Sequence, residues 1–310
     1  RSVRDQRYIY IRNYMPHLIY GQHVAFMFET PTTQVWKKLY DEGKLTPEQS
    51  HFWERKPPEE LYDLQADHDE VHNLVDSPEH QAELAKLRGA LNAWELRIRD
   101  VGLLPEPEVR RRAEGSTPYE LGHDPAKYPL ERVLAAADMA SMLKPEAVPA
   151  LIKSLQDPDS GVRYWGAMGL LMRGKDAVAQ GRDALVAAMK DESPSVRVAA
   201  ASALTQYGPA ADFQPALDAL VELSKPGVNG INVSLMALNA IDTLGDKAAS
   251  AKPALKELPA QKQKVDHRAE SYDVRILEHI FGEKAASKKA AKAGKADKGK
   301  GKAKAEKAAE

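Results

Sequence analysis

The 310-residue chain contains no cysteine. That excludes disulfides, a thiolate nucleophile and Cys-ligated zinc, and it leaves the redox compartment open. Aromatic residues make up only 6%, so most of any core must come from aliphatic side chains and alanine. No apolar run approaches the roughly 20 residues a membrane span needs, although 43% of the chain is hydrophobic. Net charge is nearly absent too, at −1, but it hides two unlike parts. Residues 284–310 hold ten Lys against Asp297, Glu306 and Glu310, a balance of +7, which leaves −8 on residues 1–283. An acidic body with a basic tail is not the profile of a groove for specific nucleic-acid recognition. A P-loop, a GxSxG elbow and a dinucleotide fingerprint are all missing. The first residue is Arg1 rather than Met, as expected of a fragment, so the lack of a signal peptide says nothing about export.

The most informative stretch present is Lys56–Leu74, KPPEELYDLQADHDEVHNL. Pro57–Pro58 bars a helix, and Glu60–Leu64 reads as a short strand with Leu61 and Asp63 on one face. A polar turn follows, and Ser77–Pro78 has the residues of a helix start. Upstream, Arg1–Arg4 and Arg7–Ile11 read as two more strands, with Tyr8, Tyr10 and Arg12 sharing a face. Thr33–Tyr40 reads as a helix, and Thr46–Pro47–Glu48 as the start of another. In Glu79–Arg99 the residues Leu84, Leu87, Leu91, Trp94, Ile98 and Val101 recur at helical spacing and predict one apolar stripe. The fold class expected for residues 1–104 is therefore α+β, a small antiparallel sheet with a covering helix.

The E-L-Y-D-L run, the D-H-D-E-V-H-N-L turn and the opening RSVRDQRYIYIRNYMPH resemble the C-terminal subdomain of type I, formylglycine-dependent sulfatases. The likeness is to the group that includes heparan N-sulfatase, whose fold is that of alkaline phosphatase. His68 departs from it, since the family usually has Pro there. The resemblance implies an enzyme that hydrolyses sulfate esters or sulfamates on a sulfated carbohydrate, in a periplasmic or extracellular setting. It also implies a formylglycine nucleophile beside bound Ca²⁺, both supplied by a catalytic domain upstream of Arg1. That missing domain is the first expected partner of this segment.

None of that chemistry is expected within the chain itself. Ser193–Pro194–Ser195 is near the C/S-x-P-S-R signature, but Glu192 stands at the nucleophile position and Val196 at the Arg position. A helix cap explains the run better. Asp63, Asp67, His68, Asp69, Glu70 and His72 are metal-ligand types, yet their spacing fits no calcium loop, and a solvated turn is expected. Tyr14, His17, Tyr20 and His23 lie on a loop after a strand. Tyr14 and His17 are candidates for the rim of a substrate pocket; the other reading is packing at an interdomain seam.

Pro105–Pro129 reads as a connector, with Arg110–Arg112 a solvated basic cluster. From Leu130 the chain becomes Ala-rich, and DPDSGVRYWGAMGLLMRG (157–174) aligns with DESPSVRVAAASALTQYG (191–208) at an offset of 34. Val233 and Gly245 mark a weaker third copy, and Asp273–Val274–Arg275 a fourth. A period in the mid-thirties with this D-x-x-x-x-V-R pattern resembles HEAT repeats. Residues 130–283 are thus expected to form an all-α, HEAT-like solenoid. Asp157, Arg163, Asp191 and Arg197 would form a ladder between repeats. Gln180–Lys190 and Pro215–Lys225 would be the second helices. The tail, 284–310, lacks the apolar residues to fold. It reads as a solvated chain or as a nonspecific contact for anionic polymers. A non-enzymatic helical-repeat scaffold, with a protein partner on the solenoid, is the alternative function.

Overall fold

The computed structural model describes residues 1–24, 26–258 and 272–282. The tail expected at 284–310 lies outside the described residues. Three strands, β1 (Ser2–Arg4), β2 (Tyr8–Arg12) and β3 (Glu59–Asp63), form an antiparallel sheet in that order. Tyr10 faces Val3 on one side and Leu61 on the other. With Leu84, Leu87 and Leu91 of the Gln81–Ile98 helix, Tyr10 and Leu61 make the buried core of this part. The register follows from period-2 alternation, which turns Tyr8, Tyr10 and Leu61 to the helix and Ile9 and Tyr62 away.

β3 is buried at all five positions although three of them are carboxylates. Each acid is satisfied, as burial of charge requires. Glu59 takes a bidentate pair from Arg88 at 2.7 and 2.9 Å and a bond from the Tyr10 hydroxyl. Glu60 accepts from Asn13 and the Tyr62 hydroxyl, and Asp63 from Arg7. Asn73 closes the outer edge of β3, accepting from the Leu61 N–H and donating to the Glu59 carbonyl. Asp67 accepts from the Val71 and His72 N–H groups and so shapes the turn that leads from it to Asn73.

The apolar stripe departs from expectation after Leu91. Trp94 and Ile98 are 48% and 45% exposed, while Glu95 is 2% exposed. The 3–4 spacing permits either Trp94 or Glu95 as the next inward position, and Tyr14 decides it by offering Glu95 a hydroxyl. Thr46 caps the short Pro47–Ser50 helix in a capping box with Gln49.

The compact units are Arg1–Ala219 and a second beginning at Leu220, with no division at Pro105–Pro129. The connector is folded, with helices at Glu106–Arg112 and Pro118–His123 and with Glu108, Val109, Leu121 and Tyr128 buried. Arg112 is not solvated: its side chain is 8% exposed. In the first unit the repeat helices are Leu130–Ser141, Val148–Ser154, Ser160–Arg173, Arg182–Ala188 and Pro194–Tyr207. Ser160–Arg173 and Pro194–Tyr207 have 14 residues each and sit 34 apart. Ser160–Arg173 is buried almost throughout, and a Cβ at Gly169 would meet Leu151 at 2.5 Å and the Ala140 backbone at 3.1 Å. Glycine there sets the approach of three helices. The next helix starts at Ala210, before Pro215 rather than at it.

In the second unit the helices Ile231–Asp242 and Tyr272–Phe281 pack together, burying Leu238, Ile241 and Leu277. Asp242 and the His279 ring are 2.9 Å apart. Among the described residues no helix is long and apolar enough to cross a membrane.

Candidate functional site

Two polar clusters inside the first unit join the sheet, the connector and the repeats. The first surrounds a cleft of about 200 Å³ lined by Tyr10, Arg12, Tyr14, Glu59, Arg88 and Glu95, with Asp138 from the first repeat helix. Arg12 ends β2 with its side chain almost wholly buried. It donates to the Pro58 carbonyl at 3.0 Å, Asp138 at 3.1 Å and the Ser141 hydroxyl at 2.7 Å. Its guanidinium also lies 4.8 Å over the Tyr14 ring, which in turn contacts Trp165 at 6.1 Å. Trp165 donates to the Leu103 carbonyl at 2.8 Å.

The electrostatics follow from burial. Glu95 is pushed above the usual carboxylate range by desolvation, and Tyr14 above the usual phenol range for the same reason first. The Tyr14 hydroxyl donates to Glu95 at 3.0 Å. Asp138 is also raised by burial. Glu59 goes the other way: burial alone would raise it, but the bonds from Arg88 and Tyr10 hold it low. Both arginines of the cleft, Arg12 and Arg88, are thus matched to carboxylates or carbonyls.

Tyr14 lines this cleft; His17 does not. His17 sits beside it in sequence with its Nδ1 buried and without a partner. Burial, with Arg55 and Lys56 nearby, lowers its pKa to about 4, so the ring is neutral.

The second cluster centres on Glu108, which is 1% exposed. It accepts from Arg111 at 2.9 Å, Arg112 at 3.1 Å, the Ser160 hydroxyl at 2.7 Å and the Ser193 hydroxyl at 2.5 Å. Burial would raise this carboxyl, yet the bonds from Arg111, Ser193 and Ser160 bring it down to about 2. Arg112 continues outward to both oxygens of Asp159 at 2.9 and 3.1 Å. Asp159 caps the Ser160–Arg173 helix through the Gly161 and Val162 N–H groups. Ser193 occupies the matching place before Pro194–Tyr207 but makes no side-chain cap, because its hydroxyl is turned to Glu108. One carboxylate therefore holds the starts of two successive repeat helices. The sequence carries a signal for it in Glu108, Arg111 and Arg112 at i, i+3 and i+4.

The four ladder residues are only partly brought together. Arg163 donates to both oxygens of Asp191, at 2.7 and 2.9 Å, and to the Asp157 and Pro158 carbonyls. The Asp157 carboxylate pairs with Arg132 instead. Arg197 has a buried Nε without a partner. At the offset of 34 the residue following Asp157 and Asp191 is Lys225, so the sequence supplies Arg197 no acid. Neither Asp157 nor Asp191 caps a helix directly; each accepts the N–H two residues on.

The residues present do not fit a bound Ca²⁺ or a formylglycine. The described residues hold no group of three His, Asp or Glu side chains arranged for a metal, and the sequence offers no signature for the modified residue.

The chain is similar to two kinds of known protein. Residues 182–210 match the HEAT repeat family. Over 127 residues the chain is 40% identical to the ulvan-active sulfatase of Formosa agariphila, a stretch covering 40% of this chain and 21% of that protein. The aligned part thus spans about a fifth of the length of that relative. A sulfatase-related segment and a HEAT repeat occur in one polypeptide.

Proposed function

We propose that this chain is the non-catalytic, C-terminal part of a sulfatase that acts on a sulfated carbohydrate, with a HEAT-type module built onto it. The observation that carries the reading is the 40% identity to a sulfatase over 127 residues, in a chain without a nucleophile signature. Formylglycine and Ca²⁺ belong, in this reading, to the catalytic part of the enzyme, and the chain itself is inert. The two polar clusters support it physically. They spend their buried charges on one another, fixing the sheet to the first repeats, as a structural body does and a reaction centre does not. The first repeats then hold a fixed orientation to the sheet and offer a surface for a protein partner.

The coding frame upstream of Arg1 tests this. A continuous frame with C/S-x-P-S-R is expected. A start codon immediately before Arg1 with no such motif would favour the alternative, a non-enzymatic repeat scaffold.

A further inference from the structure

The helix Gln81–Ile98 turns an aromatic side chain outward where packing would have taken it in. Trp94 is 48% exposed, with Ala90, Ala93 and Ile98 open beside it. One turn along, the Arg97 guanidinium lies 4.6 Å over the indole ring. Arg97 has no carboxylate partner among the described residues. Glu95, the nearest acid along the chain, is buried and accepts from the Tyr14 hydroxyl, and Asp100 is occupied by Arg1 and the Gly102 N–H. Arg1, Arg7, Arg12, Arg88, Arg99, Arg111, Arg112 and Arg163 each have at least one acidic partner. Arg4, Arg55, Arg173 and Arg197 lack an acidic partner as well, but among the described arginines without one it is Arg97 that lies over an aromatic ring, and that ring is exposed.

We propose that Trp94 and Arg97 form a binding platform for a sulfated saccharide, away from the chemistry. This rests on the sulfated-carbohydrate reading above and specifies a place where such a chain is held. The face of a sugar ring carries C–H groups and the indole face is electron-rich, so the open side of Trp94 is a stacking surface for a pyranose. The guanidinium is a planar fork that matches the oxygens of a sulfate as it matches a carboxylate or phosphate. Its stacking on Trp94 already limits its freedom, which reduces the entropy lost on binding. Charge complementarity selects the occupant: an unpaired cation beside an aromatic surface suits a polyanionic sugar chain better than a neutral apolar partner.

The test uses the full 310-residue chain, with ulvan and chemically desulfated ulvan as probes in affinity electrophoresis. Three variants are compared with the parent: Trp94→Ala, Arg97→Gln and Arg97→Lys. Because the lysine-rich tail is the same in all four proteins, its nonspecific attraction cancels in the comparison. Trp94→Ala should weaken binding to both polymers by roughly tenfold, from the loss of one stacking face. Arg97→Gln should weaken binding to ulvan by about threefold and leave desulfated ulvan unchanged, and Arg97→Lys should restore only part. Unaltered thermal melts establish that the exposed substitutions leave the fold intact. Parental binding by Trp94→Ala and Arg97→Gln would overturn the platform. Equal loss on both polymers for Arg97→Gln would overturn the sulfate assignment, as would loss of a protein partner with sugar binding unchanged. Sulfate release by the longer enzyme is a separate readout, so the failure of the platform and the failure of the sulfatase reading are distinguishable.

Discussion

The hydroxyl of Ser193 donates to Oε1 of Glu108 at 2.5 Å across 85 residues of chain. This bond and the one from Ser160 tie a short helix in a proline-rich stretch to the first turns of two repeat helices. Glu108→Gln removes the charge that Arg111 and Arg112 share and should cost on the order of 3 kcal/mol. Ser193→Ala removes one buried donor and should cost about 1–3 kcal/mol. Hydrogen exchange on Glu108→Gln should show lost protection in both Ser160–Arg173 and Pro194–Tyr207. Loss confined to Glu106–Arg112 would contradict the linkage.

The same carboxyl predicts an acid dependence. Its folded value, about 2, is below its ordinary 4.5, so the unfolded chain takes up the proton first. Its contribution is complete above pH 4.5 and is lost as the pH falls toward 2. Urea melts of the parent and Glu108→Gln should therefore converge across that window. A constant gap between them would remove Glu108 from the account.

His17 acts over a higher range. Its folded value, about 4, is below its ordinary 6.5, because burial disfavours the charged ring. Stability from keeping it neutral is complete above pH 6.5 and is lost as the pH falls through 4. His17→Leu should flatten the stability profile between those values. An unchanged profile would show that the imidazole is solvated.

Arg163 and Arg197 occupy equivalent places in the repeat but should not behave alike. Arg163→Ala strands the Asp191 carboxylate, whose side chain is 10% exposed, and should cost about 3 kcal/mol. Arg197→Met keeps the aliphatic stem and breaks no ion pair, so it should fall within about 0.5 kcal/mol of the parent. Equal losses in thermal melts would mean that Arg197 has a partner of comparable strength.

Much of this architecture can be read along the chain, wherever a local pattern decides it. Alternation in SVR, YIYIR and EELYD places the three strands and their faces, and the 34-residue offset places two repeat helices of equal length. Where two residues compete for one position, the pattern is silent. Trp94 and Glu95 are both acceptable continuations of the stripe from Leu91, and the more polar one is buried because Tyr14, 81 positions away, accepts its company. The Glu108 cluster is hidden for the same reason: its serine partners lie 52 and 85 residues off, and prolines around it suggest a loose linker. Of the four ladder residues only one pair meets, Arg163 with Asp191, while Asp157 is taken by Arg132 and Arg197 finds no acid.

On the proposed reading this chain is the inert, non-catalytic body of a sulfatase. Sulfate release from an aryl sulfate and from ulvan tests it most directly, measured for the purified 310-residue chain and for the product of the reading frame extended upstream of Arg1, with and without Ca²⁺. The account predicts no release by the chain under any condition and release by the longer protein carrying C/S-x-P-S-R. Metal-dependent turnover by the chain alone, or none by the longer protein, would contradict it.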